Sequence, residues 1–347
     1  MTNGPLIDYS RNDINASTPT PRALMLSVFQ PAKCASTVYV PYMPNKTAEH
    51  QGPYLQSQFD ISENLSPLFQ QARLPVCPED FGGCSTVDEG RILLFSPGVF
   101  APRLFYSVVA SAIASEGFTV ISIDHPEDAN IIEYPDGHTV YHNATPNPTR
   151  EELISYIYPR VADVSFIIDQ LSNATAMAEL LPHRGARPFP TDRVAMLGHS
   201  MGGIAAVVAA SQEPRLRGAI NWDQGLLFVD LPPSGVSQPV MYVTQPNATD
   251  PTGWERLNGP KLWVEVANTT HMSYTDALVL LQGAGQNTTA LADMLGTIEP
   301  AELVKILVAY TAEWMNGAFA GEVGGSLLQG GEPDRFPEVS VVKKSNY

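Results

Sequence analysis

An α/β fold, with a mainly parallel central sheet and helices on both faces, is predicted for this chain of 347 residues by three observations. Short, wholly apolar runs of strand length alternate with longer helical patterns over most of the sequence. One of these runs, Val194-Ala195-Met196-Leu197, passes into a small-residue helix through Gly198-His199-Ser200-Met201-Gly202. No internal repeat or interdomain linker interrupts the pattern.

Taken in order, residues 1–20 are rich in Asn, Pro, Thr and Ser and are expected to form a flexible N-terminal arm, leaving 21–347 as a single domain. Ala23 to Phe29 and Thr37 to Tyr42 read as strands joined through Pro31-Ala32-Lys33-Cys34, a hairpin-like start. A loop-rich segment punctuated by Pro75, Pro78, Gly82 and Gly83 follows. Arg91 to Ser96 and Phe118 to Ile123 are apolar enough for strands covered on both faces, with a helix between them from Arg103 to Glu116. Residues 126–148 show no period and read as a long connection, a length usually kept for function. From Thr149 to about Ala176, Leu153, Ile157, Val161, Val164, Ile168 and Leu171 mark one helix face, and Thr149 with Glu152 resembles a capping box. Strands at Gly218–Trp222, Val240–Thr244 and Leu262–Val266 and a helix over Glu299–Met315 complete the predicted core.

Composition narrows the function. A formal net charge of −16 argues against nucleic acid and against electrostatic docking on anionic membranes. No apolar run approaches the ~18 residues of a transmembrane helix. Eight of the sixteen asparagines, Asn15, Asn45, Asn64, Asn143, Asn173, Asn247, Asn268 and Asn287, begin an N-x-[ST] sequon. That excess predicts a secreted chain carrying N-linked glycans. Cys77 and Cys84 bracket a loop short enough to close by a disulfide, with Cys34 left free or as an alternative partner. No cysteine has zinc-like spacing with histidine, so no metal and no cofactor are expected.

The G-x-S-x-G pentapeptide at a strand-to-helix junction is the nucleophile elbow of the α/β-hydrolase fold. It makes Ser200 the candidate nucleophile. A serine hydroxyl needs a histidine to take its proton and an acid to orient that histidine, and in this fold they follow in the order Ser, acid, His. His50, His125, His138, His142 and His183 precede Ser200, and His199 is the elbow residue beside it. His271, just past an apolar strand, is left as the base. For the acid, Asp223 at the end of the strand after the elbow helix is favoured, with Asp250 and Asp230 as alternatives. The oxyanion requires two backbone donors: the Met201 amide and one from the turn Ser96-Pro97-Gly98-Val99-Phe100. Proline has no N–H, and Val99 is the choice among the rest.

These separated points resemble the plasma-type platelet-activating factor acetylhydrolase family, its fungal secreted relatives in particular. The resemblance runs from Arg22 to Met315. It includes Leu94-Phe95-Ser96-Pro97-Gly98 with Leu104-Phe105-Tyr106-Ser107, Gly117-Phe118-Thr119-Val120 with Asp124-His125-Pro126-Glu127-Asp128, the elbow, and His271 with Tyr274 and Asp276. It implies the same triad, Ser200, Asp223 and His271, and release of short or oxidised acyl chains from phospholipid. The family usually has histidine where this chain has Pro97.

The triad chemistry itself predicts only a carboxylic ester hydrolase acting on a small-molecule, lipid or polymer ester. A cutinase or polyester hydrolase, a broad carboxylesterase that includes aromatic-acid esters, and a non-catalytic secreted binding protein on the same fold are the alternatives. Phe100, Leu104, Trp222, Leu226 and Met272 are the expected apolar pocket walls. Specificity is expected in the loops at 126–148, 224–239 and 246–260.

Overall fold

The computed structural model describes residues 1–13, 18–59, 61, 64–78, 90–126, 128–142, 148–184, 187–226 and 229–347. Nine strands form one sheet: β1 (Thr2–Asn12), β2 (Pro21–Phe29), β3 (Ile92–Ser96), β4 (Thr119–Asp124), β5 (Val194–His199), β6 (Leu216–Trp222), β7 (Val240–Thr244), β8 (Lys261–Val266) and β9 (Val339–Ser345). Their spatial order is β1-β2-β4-β3-β5-β6-β7-β8-β9. The six strands β3 to β8 pair in parallel, and β1, β2 and β9 join antiparallel at the two edges.

Alternation along the parallel strands splits the core into two layers. Leu93, Phe95, Ala195, Leu197, Ile220 and Trp222 face one side, where α3 (Ser107–Ser115) and α6 (Pro300–Ala320) pack. Ile92, Leu94, Val194, Met196 and Ala219 face the other, against α4 (Arg150–Leu171) and α5 (Met201–Gln212). A strand buried on both faces must be apolar at every position, which is why these runs show no period in the sequence. The Thr149–Glu152 capping box forms, and the helix it opens ends at Leu171; Asn173 then caps a separate short helix, Ala174–Leu180.

Three expectations are corrected. Residues 2–12 are not an arm: they form edge strand β1, registered Leu6 to Leu24, with Gly4, Leu6 and Asp8 buried at alternate positions. Main-chain pairing with β2 holds them, and only Leu6 contributes an apolar side chain to that buried face, so composition hides the strand. Val38–Pro41 does not form a hairpin with β2. It pairs antiparallel with Arg73–Val76, where the loop-rich segment was expected. The bridge at the base of that ribbon is Cys34–Cys77, with Cα atoms 5.7 Å apart, rather than Cys77–Cys84. Cys84 lies outside the described residues. Between the two cysteines the chain forms α1 (Asn45–Phe59) and α2 (Ser66–Gln71), which meet so closely that a Cβ on Gly52 would lie 2.5 Å from the Ser66 amide nitrogen.

Candidate active site

β5 ends in a turn that only particular residues can make. Ser200 has φ 55° and ψ −123°, outside the usual basins for an L residue. A Cβ on Gly198 would sit 2.3 Å from the Gly202 carbonyl, and one on Gly202 would sit 1.9 Å from the Ser96 carbonyl oxygen. The glycines therefore let the elbow close against the turn after β3. The Ser200 amide donates to the Trp222 carbonyl at 2.9 Å, fixing the elbow to the neighbouring strand end.

The structure brings Ser200, His271 and Asp223 together. His271 Nε2 lies 3.0 Å from Ser200 Oγ, and His271 Nδ1 lies 2.8 Å from Asp223 Oδ2. Because a carboxylate only accepts, Nδ1 carries the proton and Nε2 accepts from the serine hydroxyl. Asp223 is buried, and its other oxygen accepts from the Gln245 amide at 2.7 Å. Parallel register explains its placement: Trp222 is paired with His199, so the residue after each emerges at the same sheet edge.

Asp250 is elsewhere. Its Oδ2 accepts from the Tyr242 hydroxyl at 2.9 Å, its Oδ1 accepts from the Gly253 amide, and burial raises its carboxyl above the ordinary range. It caps the short helix Pro251–Glu255. Asp230 is exposed.

Of the backbone donors, Met201 opens α5, where the first N–H groups have no partner within the helix. In the turn after β3, the Gly98 amide already donates to the Tyr106 hydroxyl at 3.0 Å. Val99 and Phe100 follow, and Phe100 adopts φ 60°.

A cavity of about 270 Å³ opens beside these groups. Ser200, His271, Gly98 and Val99 are among its lining residues, and the walls are largely apolar, with Leu55, Phe59, Leu65, Phe69, Met294 and Leu295. Phe100 and Met272 line it as expected. Leu104, Trp222 and Leu226 do not. Leu104 and Trp222 are packed into the layer beneath α3 and α6, where Trp222 meets Phe95 edge-on, and Leu226 belongs to the opposite layer. The loops at 126–148, 224–239 and 246–260 supply no described lining residue, whereas α1, α2 and the segment 272–295 supply most of them. Those helices escaped the sequence because their apolar residues face a cavity, and the stretch that carries them is otherwise polar.

Two further groups were not anticipated. His199 is buried, with Nδ1 2.9 Å from the Tyr106 hydroxyl and Nε2 3.0 Å from the His271 carbonyl oxygen. Burial foremost, and then the neighbouring His271, hold it well below the usual histidine range, and it is neutral. A carbonyl only accepts, so Nε2 donates to it and Nδ1 accepts from Tyr106. His125 is buried in a different set described below. Among the described residues no cluster of His, Cys, Asp or Glu could hold a metal ion, and no helix is long and apolar enough to cross a membrane.

Comparison with known proteins finds ester hydrolases. The family described as platelet-activating factor acetylhydrolase, isoform II, matches residues 12–160. A probable 1-alkyl-2-acetylglycerophosphocholine esterase of Arthroderma benhamiae is 29% identical, over 96% of this chain and 88% of its own length. The platelet-activating factor acetylhydrolase of Gallus gallus is 21% identical over 62% of this chain and 58% of its own. Among solved structures, a ferulic acid esterase from Streptomyces cinnamoneus superposes with a TM-score of 0.76 at 22% identity, covering 98% of this chain and 95% of that one. That likeness establishes the α/β-hydrolase fold. The chain is a carboxylic ester hydrolase of that fold that resembles the platelet-activating factor acetylhydrolases.

Proposed function

We propose that this enzyme cleaves uncharged acyl esters through an acyl-Ser200 intermediate. The observation that carries the proposal is the continuous hydrogen-bonded chain Ser200–His271–Asp223 opening onto an apolar cavity. His271 Nε2 takes the hydroxyl proton as Ser200 Oγ adds to the ester carbonyl, and the Met201 and Val99 amides receive the oxyanion. The same nitrogen returns the proton to the departing alcohol. A water molecule, deprotonated in turn by His271, then releases the acid and restores the serine. Asp223 keeps the imidazole in the required tautomer and stabilises its charged form.

No Asp, Glu, Lys or Arg stands among the described lining residues, which supports an uncharged acyl group inside and any charged alcohol portion outside. The relatives' names point to the acetyl ester of an ether phospholipid, but an acetyl methyl would fill little of a cavity of about 270 Å³. Each added methylene should then raise kcat/KM about fourfold until the cavity is full, from ~0.8 kcal/mol per buried methylene. A panel of phospholipid, p-nitrophenyl, aromatic-acid and polyester substrates of graded acyl length tests this; acetyl preferred over every longer chain would overturn it. A fluorophosphonate probe should label the wild type and leave Ser200→Ala unlabelled. Labelling that persists in the variant would remove Ser200 as nucleophile.

The proposal extends to secretion with N-linked glycans. The six sequon asparagines within the described residues, Asn45, Asn64, Asn173, Asn247, Asn268 and Asn287, are all exposed, and a disulfide suits an oxidising compartment. Asn15 and Asn143 lie outside the described residues. Enzymatic deglycosylation of the protein from its native source should lower its mass; an unchanged mass would refute the glycans.

A further inference from the structure

Beneath the turn that follows β3 lies a set of buried charges that the triad does not use. Arg160 on α4 is wholly buried. Its Nε and Nη2 reach the Asp128 carboxylate at 2.7 and 2.6 Å. Its Nη1 donates to the Pro97 carbonyl at 2.5 Å and to Ser96 Oγ at 3.0 Å, and Nη2 extends to the Gly98 carbonyl at 3.4 Å. From there Ser96 Oγ meets His125 Nε2 at 3.0 Å, and His125 Nδ1 meets Asp163 Oδ2 at 2.8 Å. Ser96, His125 and Asp163 thus repeat the connectivity of a catalytic triad. All three are buried and none lines the cavity, so no ester reaches them. Their arrangement has a use in holding Arg160 and the turn above it.

The planarity of the peptide bond converts that support into an orientation. In a trans peptide the carbonyl of one residue and the N–H of the next point in opposite directions. Arg160 holds the Pro97 carbonyl, and the Gly98 N–H accordingly leaves on the far side, where it meets the Tyr106 hydroxyl. Arg160 and the Ala101 amide hold the Gly98 carbonyl, at 3.4 and 3.3 Å. The Val99 N–H must then face away from Arg160. That side carries the cavity, which Gly98 and Val99 line beside Ser200; a Cβ on Gly98 would lie 3.5 Å from Ser200 Cβ.

We infer that Arg160 is a positioning residue for ester hydrolysis, its guanidinium fixing the Pro97 and Gly98 carbonyls so that the Val99 N–H is presented to the oxyanion. The inference rests on the acyl-Ser200 reading. The second edge of the turn is held by Tyr106 and His199, which join the Gly98 amide to the His271 carbonyl through one run of hydrogen bonds. The oxyanion turn and the loop of the base are thereby tied to each other, while the buried cation sets the direction of the donor. A cation on its carbonyl also makes the Gly98–Val99 peptide a stronger donor.

The test uses Arg160→Met combined with Asp128→Asn, so that no carboxylate is left buried without its partner. Folding is checked by thermal unfolding. Loss of one oxyanion donor lowers kcat by about 10²- to 10³-fold, and a fall of at least the lower size is expected, with KM within about threefold of wild type. Inhibition by a trifluoromethyl ketone, whose adduct on Ser200 carries an oxyanion, should weaken by a similar factor, while binding of the product acid stays unchanged. A folded double variant with wild-type kcat and ketone affinity would overturn the inference. So would a loss shared equally by KM and product affinity, since that is the mark of a damaged cavity. Arg160→Lys keeps the charge beside Asp128 but cannot fork to two carbonyls. It carries the same prediction at about tenfold in kcat, and unchanged turnover in it is equally fatal. If instead the wild type hydrolyses no ester and takes no fluorophosphonate, the acyl-Ser200 reading itself fails.

Discussion

At the scale of single residues, Ser200 is held at positive φ in a turn of the kind that costs of order 1–3 kcal/mol, offset by close contacts that only Gly198 and Gly202 permit. Its partners divide cleanly. Asp223 is bound to His271 and the Gln245 amide, whereas Asp250 is occupied by Tyr242 and the Gly253 amide. Asp223→Asn should therefore reduce kcat by about 10⁴-fold, because the amide favours the wrong imidazole tautomer. Asp250→Asn should leave kcat within about threefold and change stability by less than about 1 kcal/mol, because asparagine caps a helix about as well as aspartate. Steady-state rates and unfolding curves of the two variants check this, and turnover lost only in Asp250→Asn would reverse the roles. Chain order alone leaves both acids open in the sequence. What separates them is the register of Trp222 with His199, a pairing between strands that no local pattern records.

Among elements, the parallel strands are legible because burial on both faces forces unbroken apolar runs such as Leu93 to Phe95 and Val194 to Leu197. Edges and walls are not. β1 and β9 are held by main-chain pairing, and β9 carries exposed Lys343 and Lys344 of the kind that protect a sheet edge. α1 and α2 form the cavity wall, and their base is tied by Cys34–Cys77, which spans 43 residues rather than the short ring expected next to Cys84. On the chain-entropy model a loop of that size is worth about 4 kcal/mol, against about 2.5 for a ring of eight. Replacing both cysteines with alanine should lower stability toward that amount. On the proposed reading, in which the wall receives the acyl group while the triad is anchored on β5, β6 and the loop after β8, the same variant should raise KM several-fold and leave kcat nearly unchanged. Loss of kcat with KM intact would show that the bridge supports the triad instead.

Across the whole molecule, one polar chain crosses the apolar layer between α4 and the sheet. Arg22 on β2 donates through Nε and Nη2 to Asp163 on α4, at 2.6 and 2.5 Å, and Arg11 on β1 adds a contact at 2.9 Å. His125 joins from the loop after β4, and Ser96 from β3. Burial would push the Asp163 carboxyl upward, but the hydrogen bonds from Arg22 and His125, with the nearby charge of Arg22, outweigh it and hold the group at about 2. Burial, foremost, also lowers His125 and leaves it a neutral donor to that carboxylate. An Asp with a folded pKa below its unfolded 3.8 stabilises fully above 3.8 and loses that contribution as pH falls toward 2. About 1 kcal/mol should be gone by pH 3 and roughly 2.5 kcal/mol well below pH 2. The reading is a difference: the stability gap between wild type and Asp163→Asn, from denaturant unfolding at pH 6, 5, 4 and 3. Any fixed cost of leaving Arg22 without its carboxylate is common to every pH, so the shrinkage reports the titration of Asp163 together with that of His125, which it contacts. A gap that stays constant down to pH 3 would mean that the carboxyl keeps its ordinary pKa in the folded protein, and that the charged chain beneath the turn after β3 stabilises the fold far less than its geometry requires.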